Sequence, residues 1–192
     1  MEKEKQNKMK ENVMRKIKIE KVVLNVGGVG DPLEKGFKLL KFLTNKKPAK
    51  TKSKKRIPSL GVKPGLEVGA VVTIRKDMDN FLRKLLESID NQLKVSQMNE
   101  NGFSFGIKEY IEIPGLEYQR DIGILGLDVT VCFKRSGRRV KLRKIKKGKI
   151  PQRQRIQPKE IIKFMEEHFK TNFKWLQAIG KKFLSNWMQN QK

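Results

Sequence analysis

Hydrophobic positions alternate along the segment from Lys16 to Val26. Ile17 and Ile19 hold one phase, Val22, Leu24 and Val26 the other, with a shift at Glu20–Lys21. A period of two marks a strand with one buried face. The strand runs into Gly27-Gly28-Val29-Gly30. Asp31-Pro32-Leu33-Glu34 then reads as a helix start, with Asp31 as the cap, Pro32 in the first position and Glu34 three residues after the cap. Leu33, Phe37, Leu40 and Leu43 form its apolar face, and the helix is predicted to stop before Lys47-Pro48.

Residues 49–63 read as a basic, extended loop. Turn signals at Pro64-Gly65 precede a β-branched strand from Ala70 to Arg75. Asp77 opens a second helix, whose Met78, Phe81, Leu82, Leu85, Ile89 and Leu93 repeat at helical spacing. Phe103, Phe105 and Ile107 alternate with small or polar residues, as do Leu127, Val129, Val131 and Phe133, so two more strands are expected. Gln157-Pro158-Lys159-Glu160 opens a third helix carrying Ile161, Ile162, Met165 and Phe169. Residues 171–190 resume helical spacing at Phe173, Leu176, Phe183 and Trp187.

The order β-α-β-β-α-β-β-α predicts an α+β fold: a mostly antiparallel sheet with helices packed on one face, long basic loops and an extra C-terminal helix. Residues 1–13 read as a charged N-terminal extension, 14–169 as the body, and 170–192 as an amphipathic C-terminal extension.

Charge then narrows the partner. The 192 residues carry 45 Lys and Arg against 20 Asp and Glu, a net charge of +25. From Lys134 to Lys159 there are thirteen cations and no acid, and a second acid-free basic run spans Lys46 to Lys63. Such blocks serve as interaction segments, and a polyanion relieves their self-repulsion. Nucleic acid is the leading partner and a membrane surface the second. Extended cations such as Lys50, Lys52 and Lys54 can follow a phosphate backbone. Arginines such as Arg138, Arg139, Arg143, Arg153 and Arg155 add planar paired bonds to phosphate. Gly137, Gly148 and Pro151 argue against a continuous helix through the second run.

Other chemistries find little support. Cys132 is the only cysteine, so no internal disulfide or cysteine metal cage can form, and His168 is the only histidine. No apolar run approaches the roughly 18 residues of a bilayer span. The polar start, with Glu2, Glu4 and Glu11, lacks a signal core, so a cytoplasmic location is expected. No paired carboxylates or nucleophile motif stand out, so no catalytic residue, metal or cofactor is expected. Gly28-x-Gly30 has Leu33 where a dinucleotide fingerprint needs glycine, and no Walker lysine follows. It reads either as a tight turn or as a turn whose N–H groups meet a phosphate. Asn25 is the polar exception in its strand, on the face opposite Val22, Leu24 and Val26. It either bonds locally or, with Thr73 and Arg75, belongs to an exposed face that meets RNA.

Several fragments in order carry a resemblance. They are Lys21-Val22-Val23-Leu24-Asn25-Val26-Gly27, Pro48-Ala49-Lys50-Thr51-Lys52-Ser53-Lys54, Gly61-Val62-Lys63-Pro64-Gly65 with Val71-Val72-Thr73-Ile74-Arg75, Phe103-Ser104-Phe105-Gly106-Ile107-Lys108-Glu109, and Ile122-Gly123-Ile124-Leu125-Gly126-Leu127-Asp128. Over roughly 14–169 the chain resembles the universal large-subunit ribosomal protein five family, in its archaeal and eukaryotic branch. The turn at Gly27–Gly30 has what looks like one extra residue.

The resemblance implies a non-catalytic ribosomal protein bound to 5S rRNA in the central protuberance. It implies 5S contacts near Asn25, Thr51, Lys52, Lys54, Thr73 and Arg75. It also implies a loop, with Lys55, Arg56, Ile57, Ser59 and Lys63, that reaches toward P-site tRNA and large-subunit rRNA; Pro58 within it departs from the family pattern and is expected to stiffen it. Together with the basic tract at Arg138, Arg139, Lys141, Arg143, Arg153 and Arg155, this gives large-subunit rRNA and neighbouring ribosomal proteins as further partners, and no membrane. Two other classes stay open from the residues alone: an RNA chaperone or RNA-modifying enzyme, and a cationic membrane-surface protein using the C-terminal helix.

Overall fold

A computed structural model describes residues 12–174. The strands are β1 (Ile17–Gly27), β2 (Ala49–Lys52), β3 (Glu67–Ile74), β4 (Gln92–Lys94), β5 (Met98–Asn99), β6 (Gly102–Ile107), β7 (Leu127–Arg135) and β8 (Asn172–Lys174). The helices are α1 (Asp31–Thr44), α2 (Met78–Glu87), α3 (Arg139–Leu142) and α4 (Pro158–Phe169). Six strands form one sheet in the order β2-β3-β1-β7-β6-β5, every neighbour antiparallel. β4 and β8 pair separately, in parallel.

One face of the sheet is the core. Val22, Leu24 and Val26 of β1, Ala70, Val72 and Ile74 of β3, Val129, Val131 and Phe133 of β7, and Phe103 and Phe105 of β6 are all buried. α1, α2 and α4 cover that face with Leu39 and Leu40, Leu82 and Leu85, and Ile161 and Met165. The antiparallel sheet with helices on one side is as expected. The phase shift at Glu20–Lys21 is a β-bulge: the register with β7 slips between Ile19 and Lys21.

Four local expectations need correction. The cap of α1 is Gly30, in a positive-φ conformation (φ 72°), and Asp31 is already helical. α2 ends at Glu87 rather than continuing to Leu93, because Asp90 and Asn91 are both left-handed and Leu93 is a buried strand residue. Phe173 lies in β8, not in a helix; the rest of the expected C-terminal helix, like most of the N-terminal extension, falls outside the described residues. The segment 49–63 is extended only over β2. Beyond it the chain closes on itself: Ile57 and Val62 exchange backbone hydrogen bonds of 2.9 and 3.1 Å around a 3-10 turn at Pro58–Leu60. Gly61 closes that turn at φ 64°, donating to the Pro58 carbonyl.

Candidate nucleic-acid interface

Among the described residues no element covers the face of the sheet away from the helices, which mixes polar with small apolar side chains. Residues directly opposite in antiparallel strands share a face. One cross-strand row therefore reads Ala49, Val71, Asn25, Asp128 and Gly106. The next reads Thr73, Val23, Thr130 and Ser104. The Ser104 and Thr130 hydroxyls are hydrogen-bonded at 3.0 Å. Asn25 and Thr73 are half-buried and Arg75 is exposed at the end of β3.

Thr51 and Asn25 converge over Gly69. Thr51 Oγ1 donates to the Gly69 carbonyl at 3.1 Å. A Cβ on Gly69 would lie 2.8 Å from Thr51 Oγ1 and 3.7 Å from Asn25 Oδ1. A strand glycine thus makes room for two polar side chains from β2 and β1. Sequence reasoning misses Gly69; a lone glycine interrupting a β-branched run is the available signal.

The cations of the first basic run divide by role. Lys50 is turned to the helix side, where Nζ binds Glu34 at 2.6 Å and Glu67 at 3.1 Å, and lies 5.8 Å from the Phe37 ring centre. These carboxylates raise its pKa, Glu34 most. A bulge between Thr51 and Lys52 breaks the expected alternation, so Lys50 and Lys52 do not form one even stripe. Lys52, Lys54, Lys55, Arg56, Ser59 and Lys63 are exposed around the closed loop, and Ile57 and Leu60 are exposed with them. Val62 is buried beneath them.

The second basic run lies at the other end of the sheet. β1 pairs with β3 at Gly27–Gly69, near the first loop, and with β7 at Ile17–Arg135, near the second run. The eleven residues of β1 separate the two, roughly 30 Å at the usual strand rise. Arg139 and Lys141 lie on the single turn of α3 and Arg143 follows it, all exposed. Arg153 and Arg155 are exposed on or beside a 3-10 turn. Arg138 is half-buried and hydrogen-bonds Glu20 at the β1 bulge, so it braces the fold as well as adding charge.

Sequence reasoning also misses Arg135, although it continues the core phase of Val129, Val131 and Phe133. It is buried, and its NH2 group binds both carboxylate oxygens of Glu160 at 2.6 Å while NH1 donates to the Arg153 carbonyl at 3.1 Å. Glu160 in turn accepts from the Gln157 N–H at 3.0 Å, the expected helix-start bond of α4. One guanidinium thus ties β7, the basic run and α4 together.

The turn at Gly27–Gly30 is a tight connection. The Gly28 N–H is taken by the Val68 carbonyl at 3.1 Å, and a Cβ on Gly28 would sit 3.1 Å from Pro32.

Comparison with known proteins now bears on the chain. Residues 12–63 match the family described as Ribosomal protein L5, and residues 67–166 match the C-terminal region of that ribosomal family. The chain belongs to the uL5 family. It is 45% identical to the large ribosomal subunit protein uL5 of Nanoarchaeum equitans, over 82% of this chain and 95% of that protein. The uL5 proteins of Sulfolobus acidocaldarius and Picrophilus torridus are 42% and 40% identical, over 85% and 83% of this chain and 94% and 93% of theirs. As a uL5 protein the chain is a constituent of the large subunit of the cytoplasmic ribosome, and not an enzyme. The archaeal relatives agree with the branch expected from the sequence.

Proposed function

We propose that this uL5 protein binds 5S rRNA in the central protuberance through the uncovered sheet face. One observation carries the reading: Asn25, Thr51 and Thr73 share that face, with Lys52, Lys54 and Arg75 at its margin. The same face carries Lys21, Lys18 and Lys134 toward the start of β1, but at Asn25 it holds an acid, Asp128. A phosphate would be repelled there. Asp128, Asn25 and the hydroxyls of Thr73, Thr130 and Ser104 suit 2′-OH groups and base edges instead. The surrounding lysines and arginines then grip phosphates and supply most of the affinity.

On this reading the closed loop, with Lys55, Arg56, Ile57, Ser59 and Lys63, reaches P-site tRNA and large-subunit rRNA. Its exposed Ile57 and Leu60 offer apolar contact between the charges. The basic tract at Arg138, Arg139, Lys141, Arg143, Arg153 and Arg155 meets large-subunit rRNA. Residues 14–169 form the RNA-binding body, with residues 1–13 and 170–192 as extensions to it.

Paired substitutions separate these roles. Asn25→Ala with Lys52→Ala should weaken binding of purified protein to 5S rRNA about tenfold, the loss of one polar and one phosphate contact. Arg56→Ala with Lys63→Ala should leave that affinity within about twofold and instead impair occupancy in assembled subunits. Equal loss of 5S affinity from both pairs would overturn the division.

A further inference from the structure

Beyond Arg135 the second basic run folds back on itself, and the Gly148 N–H bonds the Val140 carbonyl at 3.1 Å. This closes a loop beside a cavity of about 620 Å³, bounded also by the end of β7 and by Glu100–Asn101 at the β5–β6 turn. The walls carry Lys134, Lys141, Lys147, Lys149 and Arg155. None of these five forms a salt bridge among the described residues. Arg135 and Arg138 line it too, but Glu160 and Glu20 hold them in the framework.

Five unpaired cations around one hollow repel each other, and a bound anion removes that cost. The buried Arg135 borders the same hollow, its charge paired with Glu160 and its enclosed Nε–H without an acceptor among the described residues. The cavity is not lined by charge alone. Ile150 and the buried Ile156 give it an apolar patch, and Asn101, Gln154 and the carboxylate of Glu100 add groups that pair with base or sugar. Its volume falls in the range of about 300–1,000 Å³ typical of small-ligand sites. A bare ion would leave the apolar patch and the amides unused.

We infer that this cavity takes one nucleotide of an unpaired or kinked RNA strand, its phosphate among the lysines and Arg155 and its base against Ile150 and Ile156. The strand must be unpaired there, because a base stacked within a helix cannot enter a pocket. The inference rests on RNA being the partner of this chain, but the cavity lies at the Ile17–Arg135 end of β1, away from Asn25, Thr51 and Lys52, although Lys134 shares the sheet face of Thr130. At physiological ionic strength charges separated by the length of β1 are screened from one another, the Debye length being about 8 Å.

The test is an NMR titration of the isotopically labelled full chain with 5′-phosphorylated diuridylate, with uridine and inorganic phosphate as separate probes. The dinucleotide should shift the amides of Asn101, Ser136, Gly148 and Ile150 and bind about tenfold more tightly than phosphate, with uridine weaker still. Lys147→Glu with Lys149→Glu should weaken the dinucleotide about tenfold while 5S rRNA affinity stays within about twofold. Lys54→Glu with Arg56→Glu, at the other end of the sheet, should leave dinucleotide binding unchanged. Phosphate binding as tightly as the dinucleotide, or shifts centred on residues 53–66, would overturn the nucleotide site. If wild-type protein failed to bind 5S rRNA while the cavity shifts persisted, the 5S reading would fall and the cavity would stand.

Discussion

Gly69 is the smallest residue with a large consequence. Alanine there would place a methyl group 2.8 Å from Thr51 Oγ1 and 3.4 Å from the Val26 carbonyl. The Thr51 hydroxyl must then leave its bond to the Gly69 carbonyl, so Gly69→Ala should cost about 1–2 kcal/mol of stability and weaken 5S binding as well. Chemical denaturation and RNA binding on the same variant check this; unchanged values in both would contradict the packing account.

Arg135 gives a directional prediction. Its side chain is 6% exposed, but that of Glu160 is 41% exposed. Removing the acid strands a buried charge, whereas removing the arginine leaves a carboxylate that water can reach. Glu160→Gln should therefore destabilise by about 3 kcal/mol and Arg135→Met by clearly less. Equal losses in urea denaturation would show that the pair's burial is not what matters. At this scale the sequence speaks through phase. Asn25 stands out as polar on a strand, and its partner face is legible. Arg135 sits on the core phase of β7 and so carries a signal, but a run of thirteen cations hides the one that is buried.

Elements with nine or more residues and clear period are legible: β1 with its bulge, α1, α4 and the alternating β7. So are the shorter β3 and β6, whose alternation is clean, but strands of three residues or fewer are not. β4 and β8 have three residues each and pair in parallel across some eighty positions, so no local pattern announces them. The end of α2 misleads because Ile89 and Leu93 keep helical spacing by coincidence, although Asp90-Asn91, both tolerant of left-handed backbone, mark the break. The loop after β2 looks like an extended arm because charge dominates it. Its closure depends on Pro58, Gly61 and the burial of Val62, which are weaker signals.

β2 is an edge strand, and Lys50 clips it to Glu34 at the start of α1 and to Glu67 on β3. Those carboxylates raise the Lys50 pKa above its ordinary value of 10.5. The raised group contributes its stability in full below 10.5 and loses it as pH rises through the higher folded value. Thermal melts across this alkaline range should show wild-type protein losing stability faster than Lys50→Met. Parallel curves for the two proteins would show that the clip contributes nothing.

The described part of the molecule is a sheet whose open face carries Asn25, Asp128 and the hydroxyls of Thr73, Thr130 and Ser104 at its middle, with cations toward both ends. Sequence alone reveals the two basic runs but not that β1 holds them at opposite ends, since that follows from strand order and register. The arrangement separates grip from reading. On the proposed reading, phosphate contacts from Lys52, Lys54 and Arg75 at the margin of the face give affinity that any RNA can share and that falls steeply with salt, whereas the face itself carries the groups that would distinguish one folded RNA from another.

Specificity at near-physiological salt is therefore the decisive property. The most direct measurement is a competition assay with the full chain, labelled cognate 5S rRNA and excess unlabelled tRNA. The account predicts that the 5S complex persists under tRNA excess and is lost to competitor when Asn25 and Lys52 are replaced. Equal displacement of wild-type protein by tRNA would contradict it, leaving a polycation without a reading face.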